Sequence, residues 1–296
     1  MDIVLKGKKP ELDLPYFGRQ SRFYEFFEKC IDPLMSEGGI YAETNSGSVS
    51  NAYQFAKKGY KVITNDISIY SNAIAKSVLS NGVPNFKTKN NNWLDNYTKD
   101  YKDIASLFAG LIETYGYNPI VPENITIELE NNIKKYKKHL EKIKNNDVKA
   151  FKIYNLDLFK YLDLLKKENI KVDVMFMDFA WPWRDGTMTD EYDTTANIFA
   201  NVLNIKNQNV KIWDKTNVID EVIKAVKKAQ KVSKYVLLSN QSSNFPTPEL
   251  LEVALLKNNI NYEIRHTMLT KEEYEDDLGK SDFFREYLYV IKGNNE

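Results

Sequence analysis

Cysteine is nearly absent from the 296 residues: Cys30 stands alone. That excludes an internal disulfide framework and any cage of thiolates around a metal. Histidine is almost as scarce, at His139 and His266, so no metal site is expected. No apolar run approaches the roughly 18 to 20 residues that a membrane span needs. The opening stretch MDIVLKGKKPELD lacks the apolar centre of a secretion signal. The expectation is a cytoplasmic chain that makes no use of a membrane. Net charge is absent too, with 41 Lys plus Arg against 41 Asp plus Glu. The total therefore selects no partner, although a nucleic-acid binder can be neutral overall when its basic residues are segregated on one face. No internal repeat or long low-complexity tract is visible.

What is present is the make-up of an ordinary globular protein, 43% hydrophobic and 28% charged. The length suffices for one large domain, or for a domain with an insert. Ile40 to Glu43 reads as a short strand. The polar turn Thr44-Asn45-Ser46-Gly47-Ser48 leads into a helix marked by Val49, Ala52, Tyr53 and Ala56 and closed by Gly59. A second strand, Lys61 to Thr64, ends at Asn65-Asp66, and Tyr70, Ala73, Ile74, Ser77 and Val78 mark the next helix. This βαβα rhythm implies a parallel sheet with right-handed crossovers.

From about Lys89 to Ala150 the composition turns to Asn, Lys and Tyr, with helical pieces near 104–115 and 125–143. The α/β rhythm then resumes, with strand-like runs at 151–154, 172–177, 235–239 and 287–291 and helices over 218–229 and 248–256. The division expected is a discontinuous domain of residues 1–90 and 151–296 interrupted by a helical insert, 91–150.

Three constellations carry possible chemistry. In the turn Glu43 to Ser48, small residues let the backbone approach a ligand, and the helix behind them offers free N–H groups. Asp66, nineteen residues after Gly47, ends the next strand, where a carboxylate can hold two ribose hydroxyls. A plain turn plus a surface Asp reads equally well. The second constellation is Asn155-Leu156-Asp157-Leu158-Phe159. It offers an acid at a strand's carboxyl end, followed by apolar residues that could sandwich an adenine ring. Asp157 could equally cap the helix that begins there.

The third is the hydrophobic strand Val172 to Met177, running into Asp178-Phe179-Ala180-Trp181-Pro182-Trp183. The lone pair of an adenine amine is delocalised into the ring. A carboxylate and a main-chain carbonyl that accept its two hydrogens can turn that lone pair toward an electrophilic methyl group. An aromatic ring would stack on the extruded base. Asp178, the Phe179 carbonyl and Trp181 would supply these parts. Alternatively, the aromatics form a core plug.

In their order these pieces resemble the Dam-type, alpha-class adenine-N6 DNA methyltransferases. The counterparts are Tyr16-Phe17-Gly18-Arg19-Gln20, Glu43 to Ser48, the insert, Asn155-Leu156-Asp157, and Asp178 to Trp181. Leu238-Ser239-Asn240 and Arg285 to Leu288 match the last strands. The resemblance implies a Rossmann-like methyltransferase sheet with helices on both faces. It also implies S-adenosylmethionine as cofactor, held by Tyr16, Phe17, Gly18, Gln20, Glu43, Asn45, Gly47, Ser48, Asp66, Asp157, Leu158 and Asp178. Asp178, Phe179, Ala180 and Trp181 would be catalytic, and DNA, or RNA, the substrate.

The motifs depart from the family at several points. Only the second glycine of Gly-x-Gly remains, the acid before it is displaced to Glu43 or replaced by Tyr41, and Gln20 stands for a lysine. Phe179 and Ala180 replace both prolines of Asp-Pro-Pro-Tyr. Asn tolerates positive φ better than other non-glycine residues, which would suit Asn45 to the missing glycine's place. A catalytically silent subunit that binds nucleic acid or a methyltransferase partner is the alternative. The Lys134 to Lys144 run either grips phosphates or forms the solvated face of a helix that buries Ile133, Tyr136, Leu140 and Ile143.

Overall fold

The computed structural model describes residues 8–16, 23–80, 93–116, 123–143, 148, 150–182, 213–268 and 285–294. Phe17, Gly18 and Gln20, expected to touch the cofactor, lie outside the described residues, as does Trp183.

Seven strands form one sheet: β1 (Ile40–Glu43), β2 (Lys61–Asn65), β3 (Lys152–Tyr154), β4 (Val172–Met177), β5 (Ser233–Gln241), β6 (Tyr262–Met268) and β7 (Arg285–Lys292). They are ordered β3-β2-β1-β4-β5-β7-β6. The first five are parallel, as the βαβα rhythm predicts, whereas β7 runs antiparallel to both β5 and β6. The expectation of a parallel sheet therefore fails at β7 alone, since β6 runs in the direction of the first five strands. β4 lies between β1 and β5 with both faces covered, which is why its sequence VDVMFM is nearly continuous in apolar residues.

On one face pack α1 (Tyr24–Ile31), α2 (Ser50–Lys57) and α3 (Ile69–Leu79), and the two helices of the insert, α4 (Tyr101–Tyr115) and α5 (Ile127–Lys142), join the same core. On the other pack α6 (Leu158–Lys167), α7 (Val218–Ala229) and α8 (Pro248–Lys257). The sheet is doubly wound.

The insert leaves and re-enters at one place: the Ala150 amide donates to the Leu79 carbonyl at 3.0 Å, and the Phe151 amide to the Val62 carbonyl at 2.8 Å. Its helices share the core of the sheet's first face, where Phe108 meets Tyr70 edge-on with centroids 5.6 Å apart. α4 and α5 cross closely at Gly110, where an added Cβ would lie 2.7 Å from the Ile133 side chain and 3.0 Å from its backbone nitrogen. Only glycine fits there. α5 buries Ile133, Tyr136 and Leu140, with Ile143 buried just beyond it, the pattern its periodicity predicts.

Candidate functional site

The chain passes from β1 to β2 to β3 on one side, then returns to lay β4 against the other flank of β1. The crevice between β1 and β4 is therefore the switch point, outside the strands' carboxyl ends, where open α/β sheets bind ligands. The register pairs Glu43 with Phe176, and the Thr44 amide donates to the Phe176 carbonyl at 3.1 Å. Asp178 follows one residue beyond β4, so it leaves the sheet beside the turn after β1. Asp173 lies at the opposite end of β4, where its carboxylate accepts from the Ile40 amide and the Ser36 hydroxyl at 2.9 and 2.8 Å.

The turn after β1 is held by β2. The Gly47 amide donates to Asp66 Oδ2 at 2.9 Å and the Ser68 amide to Asp66 Oδ1 at 2.8 Å. Asp66 is 6% exposed, so it is no surface aspartate. Burial pushes its carboxyl up to about 6, against these donors. The loop after β1 is thereby tied to the end of β2, and each Asp66 oxygen retains acceptor capacity.

Glu43 is 2% exposed and accepts from the Tyr41 hydroxyl at 2.9 Å. Burial raises its carboxyl to about 8 despite the Tyr41 bond, so it is protonated at neutral pH. No donor reaches Glu43 Oε2 or Asn45 Oδ1 within hydrogen-bond distance, although both are buried. Asn45 Oδ1 is an acceptor that a ligand amine or hydroxyl would satisfy, whereas the protonated Glu43 offers the O–H on Oε2 as a donor.

The backbone bends differently from the sequence expectation. Asn45 is not at positive φ; the turn is made by Gly47 (φ 50) and Val49 (φ 63). A β-branched residue in the left-handed region stores about 1 to 3 kcal/mol of strain, and here it starts α2. Ser48 shares a 2.9 Å hydrogen bond with Ser50, whose hydroxyl reaches the Leu12 carbonyl at 2.6 Å. The N-terminal segment is thereby tied over the loop. Tyr16 stacks on Tyr70 with centroids 5.6 Å apart and lies 3.5 Å from where a Cβ on Gly47 would stand.

Asp157 caps α6: its Oδ1 accepts from the Phe159 and Lys160 amides at 3.0 and 3.3 Å. The capping alternative thus holds in this arrangement, while Leu158 packs against the second core cluster. Two residues with no site role in the sequence reading organise this edge. Asn65 donates to the carbonyls of Thr44 and Leu156 and accepts from the Leu156 amide, pinning the ends of β1, β2 and β3 together. Asn155 donates to the Asp66 carbonyl at 2.7 Å. For Asn65, an amide side chain at the last residue of a strand just before an acid is the available signal.

Beyond Asp178 the surroundings are apolar. Phe179 and Trp181 are 7% and 6% exposed and meet edge-on at 5.5 Å, and Phe179 packs on Trp213 at 4.8 Å. This buried packing is what the core-plug alternative describes. Ala180 between them is half-buried.

Neither a family model nor a curated protein matches the sequence. Solved structures do. SMU.776, assigned as a methyltransferase and crystallised with SAH, is 9% identical over 89% of this chain, with TM-score 0.43. The chain spans about half of that protein, 48%. Magnesium protoporphyrin IX methyltransferase from Synechocystis PCC 6803 with bound SAH is 10% identical over 91% of this chain and 80% of its own (TM-score 0.38). The rRNA methyltransferase aviRa from Streptomyces viridochromogenes is 12% identical over 95% and 89% (TM-score 0.40). The chain's own strand order and two helical layers are those of a Rossmann-like α/β sheet. At these identities the likeness is one of fold alone. No helix among the described residues is long and apolar enough to cross a membrane.

Proposed function

We propose that the protein transfers a methyl group from S-adenosylmethionine to the N6 amine of adenine in nucleic acid, DNA being the substrate class its motif order favours. The observation that carries this reading is the position of Asp178, delivered by β4 to the switch point directly beside the Glu43–Ser48 turn. The turn fits the cofactor: Gly47 permits close approach, Asp66 stands at the end of β2 for the ribose, and Asn45 Oδ1 is a buried acceptor that still needs a donor.

S-adenosylmethionine supplies a methyl group on a positively charged sulfur. The chain's task is to hold the amine. The Asp178 carboxylate and the Phe179 carbonyl accept its two hydrogens, which localises the nitrogen lone pair away from the ring. Once the methyl group has transferred, Asp178 is the nearest group to receive the surplus proton. The base must be extruded from its stack to reach this edge. Calorimetry with S-adenosylmethionine, followed by transfer of labelled methyl groups to separate DNA and RNA pools, tests the reading. Label in N6-methyladenine of DNA supports it, label confined to RNA moves the substrate, and tight cofactor binding without transfer to either overturns the enzyme reading.

A specific observation favours a second reading, a catalytically silent subunit that binds nucleic acid or a methyltransferase partner. Phe179 and Trp181 are packed into the core where the adenine would enter. With neither proline of the family motif present, no ring fixes the carbonyl that must accept the amine hydrogen.

A further inference from the structure

The lysines of the insert, the candidate phosphate grip in the sequence, are largely neutralised by the insert's own acids. Lys134 pairs with Glu130 at 2.7 Å, Lys135 with Glu113 at 2.9 Å and Lys137 with Asp103 at 2.6 Å. A second lysine cluster behaves differently. Along α7 and just past its end, Lys224, Lys227, Lys228 and Lys231 recur at helical spacing and line a groove of about 410 Å³ with Asp220 and Asn258. Four cations against Asp220 and the paired acids Asp163 and Glu221 leave the groove at a formal +1, carried by Lys227 and Lys231.

Lys228 is paired with Asp163, and Lys224 lies 3.7 Å from Glu221. Lys227 bonds only the neutral Asn258 amide oxygen, at 2.8 Å, and neither it nor Lys231 pairs with a carboxylate among the described residues. The groove also connects to the candidate active edge. The Lys224 ammonium stands 4.3 Å over the Phe159 ring, Phe159 meets Trp213 at 6.5 Å, and Trp213 meets Phe179, the neighbour of Asp178, at 4.8 Å.

We infer that the α7 groove, and not the insert's lysine run, carries the phosphodiester backbone of the nucleic-acid substrate away from the methyl-transfer edge. The inference rests on the nucleic-acid reading given above. From Lys224 to Lys231 is about 10 Å at 1.5 Å per residue. One strand carries a phosphate about every 3.4 Å of axis, so the groove spans about three phosphates. Any sequence would be accepted, because ammonium groups contact phosphates without reading bases.

The test is a fluorescence-anisotropy titration of the full chain against a labelled single-stranded DNA 20-mer and the RNA of the same sequence, at several salt concentrations. The variants are Lys224→Gln/Lys227→Gln/Lys228→Gln/Lys231→Gln and, on the insert, Lys134→Gln/Lys135→Gln/Lys137→Gln/Lys138→Gln. Loss of three phosphate contacts lowers the slope of log affinity against log salt by about 2 to 3 and weakens binding at 50 mM salt by about tenfold. The α7 variant is expected to show both changes, whereas the insert variant binds like the parent. Loss with both oligonucleotides assigns the groove to the shared backbone; loss with only one assigns it to that nucleic acid.

An α7 variant that keeps the parent's affinity and slope overturns the inference. So does an equal or larger loss in the insert variant. Methyl transfer by the parent, measured alongside, separates the two levels: transfer with an unaffected α7 variant sinks the groove alone, and a parent that neither binds nor methylates nucleic acid sinks the function with it. Should the fourfold variant fold poorly by thermal melt, Lys227→Gln/Lys231→Gln, which breaks no ion pair, is read by the same two criteria.

Discussion

The ends of β1 and β2 and the end of β4 lie on the same edge of one sheet, yet they are built of opposite materials. At β1 and β2, buried carboxyl groups are held by hydrogen-bond donors: Asp66 by the Gly47 and Ser68 backbone amides, Glu43 by the Tyr41 side-chain hydroxyl. At β4 one acid is followed at once by a packed plug of Phe179, Trp181 and Trp213. In the function proposed above, the first half is the cradle for the cofactor. The second resists entry, because a base arriving at Asp178 must find its place among rings already in contact. Cofactor binding and methyl transfer should therefore come apart under mutation, and each prediction below presses on that separation.

The largest effect is expected at Trp181. If its ring is a core element, Trp181→Ala removes a buried side chain at a cost of about 3 to 5 kcal/mol. For a chain of this size that lowers the melting temperature by about 10 °C. If the ring instead serves as a base platform, stability barely moves and substrate capture weakens by about 1 to 3 kcal/mol. Thermal melting beside KM for DNA distinguishes the two outcomes, and the 6% exposure of Trp181 favours the first.

Asp178 comes next. Asp178→Ala should cut methyl transfer by about a thousandfold, roughly 4 kcal/mol, while the calorimetric affinity for S-adenosylmethionine stays within about twofold. Loss of cofactor affinity in step with rate would mean that the two ends of the edge act as one site, and the contrast drawn here would fail.

Glu43 allows the cradle to be examined without substrate. Its carboxyl ionises near 4.5 when unfolded and is raised to about 8 by burial in the native chain. The unfolded state therefore loses this proton first, and the contribution to stability is fully present below about 4.5 and declines as pH rises to about 8. A shift of that size corresponds to a loss on the order of 3 to 5 kcal/mol. Glu43→Gln keeps an acceptor for Tyr41 and removes the ionisation. It should melt higher than the parent at pH 8 and much as the parent does at pH 4.5. Equal melting curves at both pH values would show that Glu43 is not protonated in the native state.

How much of this was legible beforehand follows the physics of each element. β1, β2 and β4 read clearly because each is an apolar run that stops at turn or acid chemistry. β6 did not, because Tyr262 to Met268 interleaves Glu263, Arg265 and His266 on an edge strand paired only with β7. The reversal of β7 was invisible as well, since the direction of a strand in a sheet leaves no trace in its own residues. In the site, the positions were readable and the environments were not. Asp66 was found, but not its buried bond to the Gly47 amide. Trp181 was found, but nothing local states whether a ring faces solvent or Phe179. Positive φ was expected at Asn45 because of its residue type, whereas the chain places it at buried Val49, where tertiary packing outweighs backbone preference.

The smallest effect, and the sharpest division between the halves, is expected at Asp66. Both of its oxygens are engaged by backbone amides, and both can accept a ribose hydroxyl in addition. In Asp66→Ala those amides lose their acceptor and the hydroxyls lose theirs, so S-adenosylmethionine should bind about 1 to 3 kcal/mol more weakly, up to about a hundredfold in Kd. Asp157→Ala is the matched control. Asp157 also ends a strand unit but spends its Oδ1 capping α6. Removing that cap should cost about 1 kcal/mol of stability, with a smaller change in cofactor affinity. A drop in affinity for Asp157→Ala as large as that for Asp66→Ala would extend the cradle to β3 and make the adenine-contact role of Asp157 real despite its cap. Unchanged affinity in both variants would remove the cradle altogether, and with it the polar half of the edge as a cofactor site.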